Sequence, residues 1–384
     1  MKRYAFLAVF AILLIFAASA IAEPQIYTYG GSGDDYLSDI AVRNDGLILL
    51  TGNTNSTDRT LSNRTKSGRS GWALCVDPQG NVLWSFCTRL GTQDRLISPV
   101  FQDDDTVTVM LQVLKADGER ELELIRLNMS GDVVARKTVV KGDCFSRAVE
   151  AGYLIGEPEK DGIMEINPHR YLLCNWNGET RELQGWVTGG WEEPMTRRGY
   201  VSAHSSNHLI RFHENQLWLT AFDALGNETL LTPVSDIEMY ILGVTRFHGM
   251  VSLEDGGAAA SGLTEDNGIG KGRLARWDAQ GNTIFDRQID DSLLGKLART
   301  AKGFVAAQYT EEANEETAQL AFYDELGVST GSIPLGHGTY GDITALATLP
   351  DGGIAAVFSP LPNMDADSSL VNPQLMIIPK EDIP

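Results

Sequence analysis

Asp77-Pro-Gln-Gly80 returns along the chain as Asn128-Met-Ser-Gly131, Asn175-Trp-Asn-Gly178, Asp223-Ala-Leu-Gly226, Asp278-Ala-Gln-Gly281 and Asp324-Glu-Leu-Gly327. The glycines are separated by 51, 47, 48, 55 and 46 residues. A self-similar period of this length marks a propeller, a solenoid or an array. A second series runs in phase with the first, as turn residues before short apolar runs. Its clear members are Asn44-Asp-Gly46, Asp255-Gly-Gly257, Lys302-Gly303 and Asp351-Gly-Gly353; Asp103-Asp-Asp105, Ala151-Gly152 and Arg198-Gly199 are weaker ones. The second series raises the count to seven units. The seventh lacks its own Asp-x-x-Gly turn, but Leu375-Met-Ile-Ile-Pro-Lys380 stands where the preceding strand belongs.

Each unit reads as four short strands. In the first, residues 37–42, 47–51, 72–76 and 82–88 are apolar or β-branched runs bounded by turn residues. Several runs are apolar on both faces, as expected of sheets packed between neighbouring sheets. The last unit stops after its third strand, and residues 26–29 supply an unmatched strand at the other end. The expectation is an all-β, seven-bladed propeller with four antiparallel strands per blade, closed by the N-terminal strand as the outer strand of the C-terminal blade. Such closure removes the free sheet edges of an open array.

Residues 1–22 read as a secretory signal: Lys2 and Arg3, then an apolar stretch from Ala5 to Ala18, then Ala20-Ile-Ala22 at the cleavage site. The mature propeller, residues 23–384, is expected to be secreted or extracytoplasmic, a monomer, and without a membrane span. Formal charge is −20, from 31 basic and 51 acidic residues. An acidic chain is repelled by polyanions, so nucleic acid is not an expected partner. The four cysteines, Cys75, Cys87, Cys144 and Cys174, are few for this length. Placing Pro78-Gln79 at a hairpin tip sets Cys75 near Val82 rather than Cys87, which favours free thiols. No CxxC or CxH pair suggests zinc.

The first unit also resembles a recurring repeat of secreted bacterial β-propeller proteins. The matching phrases are Gly30-Gly-Ser-Gly-Asp-Asp35, Asn44-Asp-Gly46, Gly52-Asn-Thr-Asn-Ser56 and Trp72-Ala-Leu-Cys-Val-Asp-Pro-Gln-Gly-Asn-Val-Leu-Trp84. The match is close over residues 28–91 and thins to turn residues afterwards. Members look like distant relatives of quinoprotein propellers, and most lack an assigned activity, so the resemblance implies a fold rather than a reaction. The quinoprotein docking tryptophan follows its turn only at Trp84, with Phe285 a partial echo, and the adjacent-Cys pair usual in quinoprotein dehydrogenases is absent. No redox cofactor is therefore expected.

Candidate sites fall on one face. The segments leading into the innermost strands carry Asp34, Asp35, Asp94, Asp143, Asp236, Asp290 and Asp342. Carboxylates converging at the channel mouth would attract cations, and hard oxygen ligands suit Ca²⁺; the plainer role is bracing turns. Connections between second and third strands project from the same face. Residues 53–71, with Arg59, Arg64, Lys66 and Arg69, are the best candidate for partner contact. Trp186 and Trp191 could stack on a sugar. His204, His208 and His213 do not share a face of a strand. Neither a nucleophile elbow, a zinc-protease helix nor a phosphate loop is present. The expected function is non-enzymatic binding or scaffolding, with a glycan or an extracellular or envelope protein as partner. The alternative is a carbohydrate-active hydrolase or lyase using acids at the channel mouth.

Overall fold

A computed structural model describes residues 24–58, 68–88, 93–142, 144–158, 168–183, 201–204, 207–213, 216–223, 225–235, 245–266, 269–312, 315–337, 342–359 and 372–384. These form seven antiparallel sheets of four strands each, arranged in a ring as a seven-bladed β-propeller. The inner strands are Asp35–Val42, Gln93–Phe101, Phe145–Val149, Val201–His204, Thr245–Ser252, Leu293–Thr300 and Ile343–Thr348. The ring closes as the sequence predicts. Strand Gln25–Thr28 pairs antiparallel with Gln374–Ile378 and completes the sheet that holds Ile343–Thr348 and Ile354–Phe358.

The repeated phrase builds the same hairpin tip each time. In the first blade Gly80 N–H donates to the Asp77 carbonyl (2.9 Å), and Asp77 Oδ1 accepts from Gln79 and Asn81 N–H (2.9 and 2.8 Å). This is a type I turn followed by a left-handed residue. Gly80, Gly131, Gly178, Gly226, Gly281 and Gly327 take φ between 70° and 83°, a region that glycine enters without the Cβ penalty. The turn also adds a bulge, and this corrects one predicted pairing. Val76, not Cys75, lies opposite Val82, and Cys75 faces Trp84. None of the four cysteines forms a disulfide. Burial pushes the Cys75 thiol up to about 12 and Cys174 to about 11, so neither offers a thiolate at neutral pH.

These tips also join blade to blade. A Cβ on Gly131 would lie 3.0 Å from the Trp84 ring of the previous blade, and one on Gly327 would lie 2.6 Å from Phe285. Tyr29 O–H donates to the Gly80 carbonyl (2.8 Å), and Arg287 Nε donates to the Leu326 carbonyl (2.8 Å). Arg276 pairs with Asp255 in its own blade (2.9 Å) and with Glu325 in the next (2.6 Å).

Nearer the axis, six of the seven inner strands carry a register shift against their partner, the third blade being the exception. Such bulges release backbone groups from the ladder. Neighbouring blades bond to groups at or beside them: Thr344 Oγ1 donates to the Leu37 carbonyl (2.7 Å) and Ser261 Oγ to the Gly295 carbonyl (2.7 Å). Between the blades the core is apolar, with Trp72, Leu74, Ile48, Val357 and Leu375 buried in one interblade cluster.

Candidate functional site

Adjacent strands are antiparallel, so the second-to-third-strand connections and the lead-ins to the inner strands emerge on one face, opposite the Asp-x-x-Gly tips. On this channel-mouth face the first blade carries a closed hydrogen-bonded clamp. Asp35 is buried and accepts at Oδ2 from Gly31 N–H (2.6 Å) and Ser56 Oγ (2.8 Å), and at Oδ1 from Thr54 Oγ1. Ser56 Oγ in turn accepts from Gly33 N–H (2.6 Å), Asn55 Oδ1 from Asp34 N–H (2.5 Å), and Asp58 Oδ1 from Ser32 N–H (2.7 Å). The two phrases of the repeat resemblance, residues 30–35 and 52–56, are thus two halves of one device. Its glycines lie where the opposing side chains approach most closely: a Cβ on Gly33 would lie 2.0 Å from Asn55 Oδ1.

The other predicted acids divide by role. Asp94 is buried and accepts from Thr88 Oγ1 (2.6 Å), which itself accepts from Gly71 N–H (2.8 Å). Asp342 is buried and its carbonyl accepts from Ser359 N–H (2.7 Å). Asp290 is exposed and pairs with Lys271 (2.9 Å). Asp34 accepts from Asn55 Nδ2 (3.2 Å) and lies 3.9 Å from Arg69. Among the described residues no three His, Cys, Asp or Glu come together to hold a metal ion. Asp143, Asp236, Arg59, Arg64, Lys66, Trp186 and Trp191 lie outside the described residues. His208 is buried, with Nδ1 2.8 Å from Asn207 Oδ1 and 3.1 Å from Ser252 Oγ. Burial holds its imidazole below the usual value, which suits a neutral packed ring.

Arg69 has company that the sequence did not reveal. A cleft of about 200 Å³ opens where the first three blades meet, lined by Arg69, Arg95 and Arg120 together with Asn53, Gln112 and Glu121. Glu121 is taken up by Lys115 (2.6 Å), and Asp94, also on its wall, by Thr88. Arg95 lies over the Tyr36 ring (5.6 Å), a cation–π contact that fixes its plane without neutralising it. The cleft is therefore rich in guanidinium forks, whose geometry matches carboxylate, sulfate or phosphate oxygens. Arg95 sits on an inner strand and Arg120 at the start of a third strand, 25 residues apart, and only the closed sheet brings them together.

Comparison with solved structures returns propellers. The WD40 domain of Pan2 from Neurospora crassa aligns at TM-score 0.52 and 13% identity, covering 90% of each chain. The NanB sialidase from Streptococcus pneumoniae aligns at 0.47 and 11%, over 94% of this chain and 71% of that one. A PQQ-bound aldose sugar dehydrogenase from Streptomyces coelicolor aligns at 0.41 and 10%, over 93% and 98%. No protein-family model matches the chain. No curated protein sequence matches it. At 13% identity the likeness to the WD40 domain bears on the fold and nothing narrower.

Proposed function

We propose that the protein is an exported binding propeller that takes an acidic glycan at the channel-mouth face. The observation that carries this reading is the arginine-lined cleft between the first three blades, on the face where the connections vary from blade to blade. Export is supported by the leader pattern of residues 1–22. Among the described residues no helix is long and apolar enough to cross a membrane. A hydrolase or lyase would need a pair of carboxylates at liberty near the reacting bond. Asp35 and Asp94 are instead engaged by hydroxyl and backbone donors, which favours binding over catalysis.

The reading is tested by probing an array of neutral and acidic cell-wall and host glycans with the labelled mature protein, alongside the double variant Arg69→Glu, Arg120→Glu. Selective binding to carboxylate- or sulfate-bearing glycans, weakened at least about tenfold in the variant, is the expected result, since each guanidinium contributes a charge-assisted contact. Binding to neutral glycans alone, or unchanged binding by the variant, removes the cleft from the account. A silent array with a protein captured by the same face would replace the glycan with a protein partner.

A further inference from the structure

The inner strands ring the axis of the propeller, and five of them shift register just after their first buried apolar residue. Counting two residues past the first buried apolar position (Leu37, Leu96, Phe247, Leu294, Ile343) gives Asp39, Ser98, Gly249, Lys296 and Ala345. In the third blade, whose inner strand has no register shift, Arg147 stands at the middle of Phe145–Val149. Lys296 of the sixth blade and Arg147 of the third stand three blades apart by the shorter way round. Their charges nevertheless act on one another, and both act with Asp39 of the first blade and Arg95 of the second. Groups on such distant blades meet only across the central bore. All four side chains keep partial solvent exposure while lying deep in the ring, as lining a narrow water-filled channel requires.

Among the described residues the charges in this bore do not balance. Burial pushes both Arg147 and Lys296 below their ordinary values; Asp39 opposes that shift and the neighbouring cations add to it. Among the described residues Asp39 is the one carboxylate countering them there, and its Oδ2 is already accepting from Ser98 N–H (3.2 Å). Lys296 forms no hydrogen bond or ion pair with a described residue. Among the described residues Arg147 Nη1 donates only to the adjacent Ser146 carbonyl (3.1 Å). Arg95 rests on Tyr36, and its buried Nε has no partner among the described residues. Cations withdrawn from bulk water are ordinarily paired, because an uncompensated one is costly in a low-dielectric setting. In a chain of net charge −20, three cations gathered on the axis are not a by-product of composition.

We propose that the bore of the ring is a binding site for a small polyvalent anion of carboxylate or phosphate chemistry, held between Arg147 and Lys296 with Arg95 toward the channel mouth. The anion would complete the electrostatics of the inner ring and tie together blades that share no direct contact. This site is separate from the glycan cleft, touching it only through Arg95, and does not rest on the glycan reading.

Titration calorimetry and thermal unfolding of the mature protein with citrate and with inorganic phosphate, at matched ionic strength in chloride, test the proposal and distinguish the two chemistries. The expected result is saturable binding of one anion per chain, for at least one of the two. Thermal stability should rise with anion concentration as linkage requires. Affinity should fall about tenfold or more in Arg147→Gln and in Lys296→Gln, and binding should vanish in the double variant. Without anion, Lys296→Gln should melt no lower than the parent, because it removes an unpaired charge. Arg69→Glu, Arg120→Glu should bind citrate or phosphate as the parent does. No saturable binding of either anion to the parent overturns the proposal. So does unchanged affinity in the double variant, or loss in the cleft variant alone, which would assign the anion to the cleft. Should the glutamine variants fail to fold, crystals of the parent soaked in selenate decide: anomalous density in the bore supports the site, and density confined to the outer surface overturns it.

Discussion

The two faces of this propeller are built by different rules. On the turn face one device recurs six times: an Asp or Asn side chain folds back on its own turn, and the glycine that follows packs against the previous blade. On the channel-mouth face nothing recurs so regularly. The first blade has a carboxylate clamp around Asp35, the second a smaller one around Asp94, and the sixth an exposed Asp290–Lys271 pair. The contrast teaches that repetition here records the joining of blades, and that departures from repetition mark where recognition can reside. Arg69, Arg95 and Arg120 line one cleft on this face.

Three experiments sharpen or break this contrast. The largest effect is expected at Asp35→Ala, which strands the Gly31, Thr54 and Ser56 donors in a buried place. Leaving buried groups unpartnered costs about 1–3 kcal/mol each, so a total of about 3–5 kcal/mol should appear as a lower urea midpoint. An equal loss in the presence of calcium or of a chelator would mark Asp35 as a brace. A midpoint that tracks calcium would make it a ligand, and the channel-mouth face would be built around a cation.

A paired comparison within the second blade comes next. Gly131 on the turn face and Gly118 on the other face both hold positive φ, 83° and 87°. A Cβ on Gly131 meets the Trp84 ring at 3.0 Å, while one on Gly118 meets nothing within 4 Å. Both alanine variants incur the left-handed penalty of about 1–2 kcal/mol. Only Gly131→Ala adds crowding, of the order of 1–3 kcal/mol. Unfolding curves that place the two variants together would show that the tips do not hold the blades.

The smallest effect concerns pH. Hydrogen bonds from Asn81, Asn227 and Asn282 hold the Asp77, Asp223 and Asp278 carboxyls below the usual carboxylate value. A carboxyl depressed in the folded state contributes stability above its unfolded value and loses it as pH falls through the folded one, here below about pH 4. Replacing all three by Asn, the residue that Asn128 and Asn175 already supply, should leave neutral stability nearly unchanged. It should also flatten the acid limb of a midpoint-against-pH series. An unaltered acid limb would show that these turns do not govern it.

These cases also explain what could be read in advance. The turn phrase was legible because its bonds close within five residues, so that Asp77 and Asn81 carry the geometry themselves. Seven blades and their closure followed from counting such phrases and from the unmatched strand at residues 26–29. The register of Cys75 was not legible, since the bulge after the turn shifts the pairing by one. The cleft and the bore were hidden for a larger reason: Arg95, Arg120, Arg147 and Lys296 share no motif or spacing, and ring closure alone assembles them. Asp35 drew attention as an acid, but only the fold showed how its oxygens are occupied.

The central claim is that recognition belongs to the channel-mouth face and cohesion to the turn face. Orientation tests it most directly. The protein would be immobilised once through a biotin placed at the turn tip, Gln79→Cys, and once through a biotin on the opposite face, Asp117→Cys. Each surface would then be exposed to the glycan that the array identifies. Binding retained through the turn-tip tether and lost through the other is the predicted result; the reverse would contradict the account.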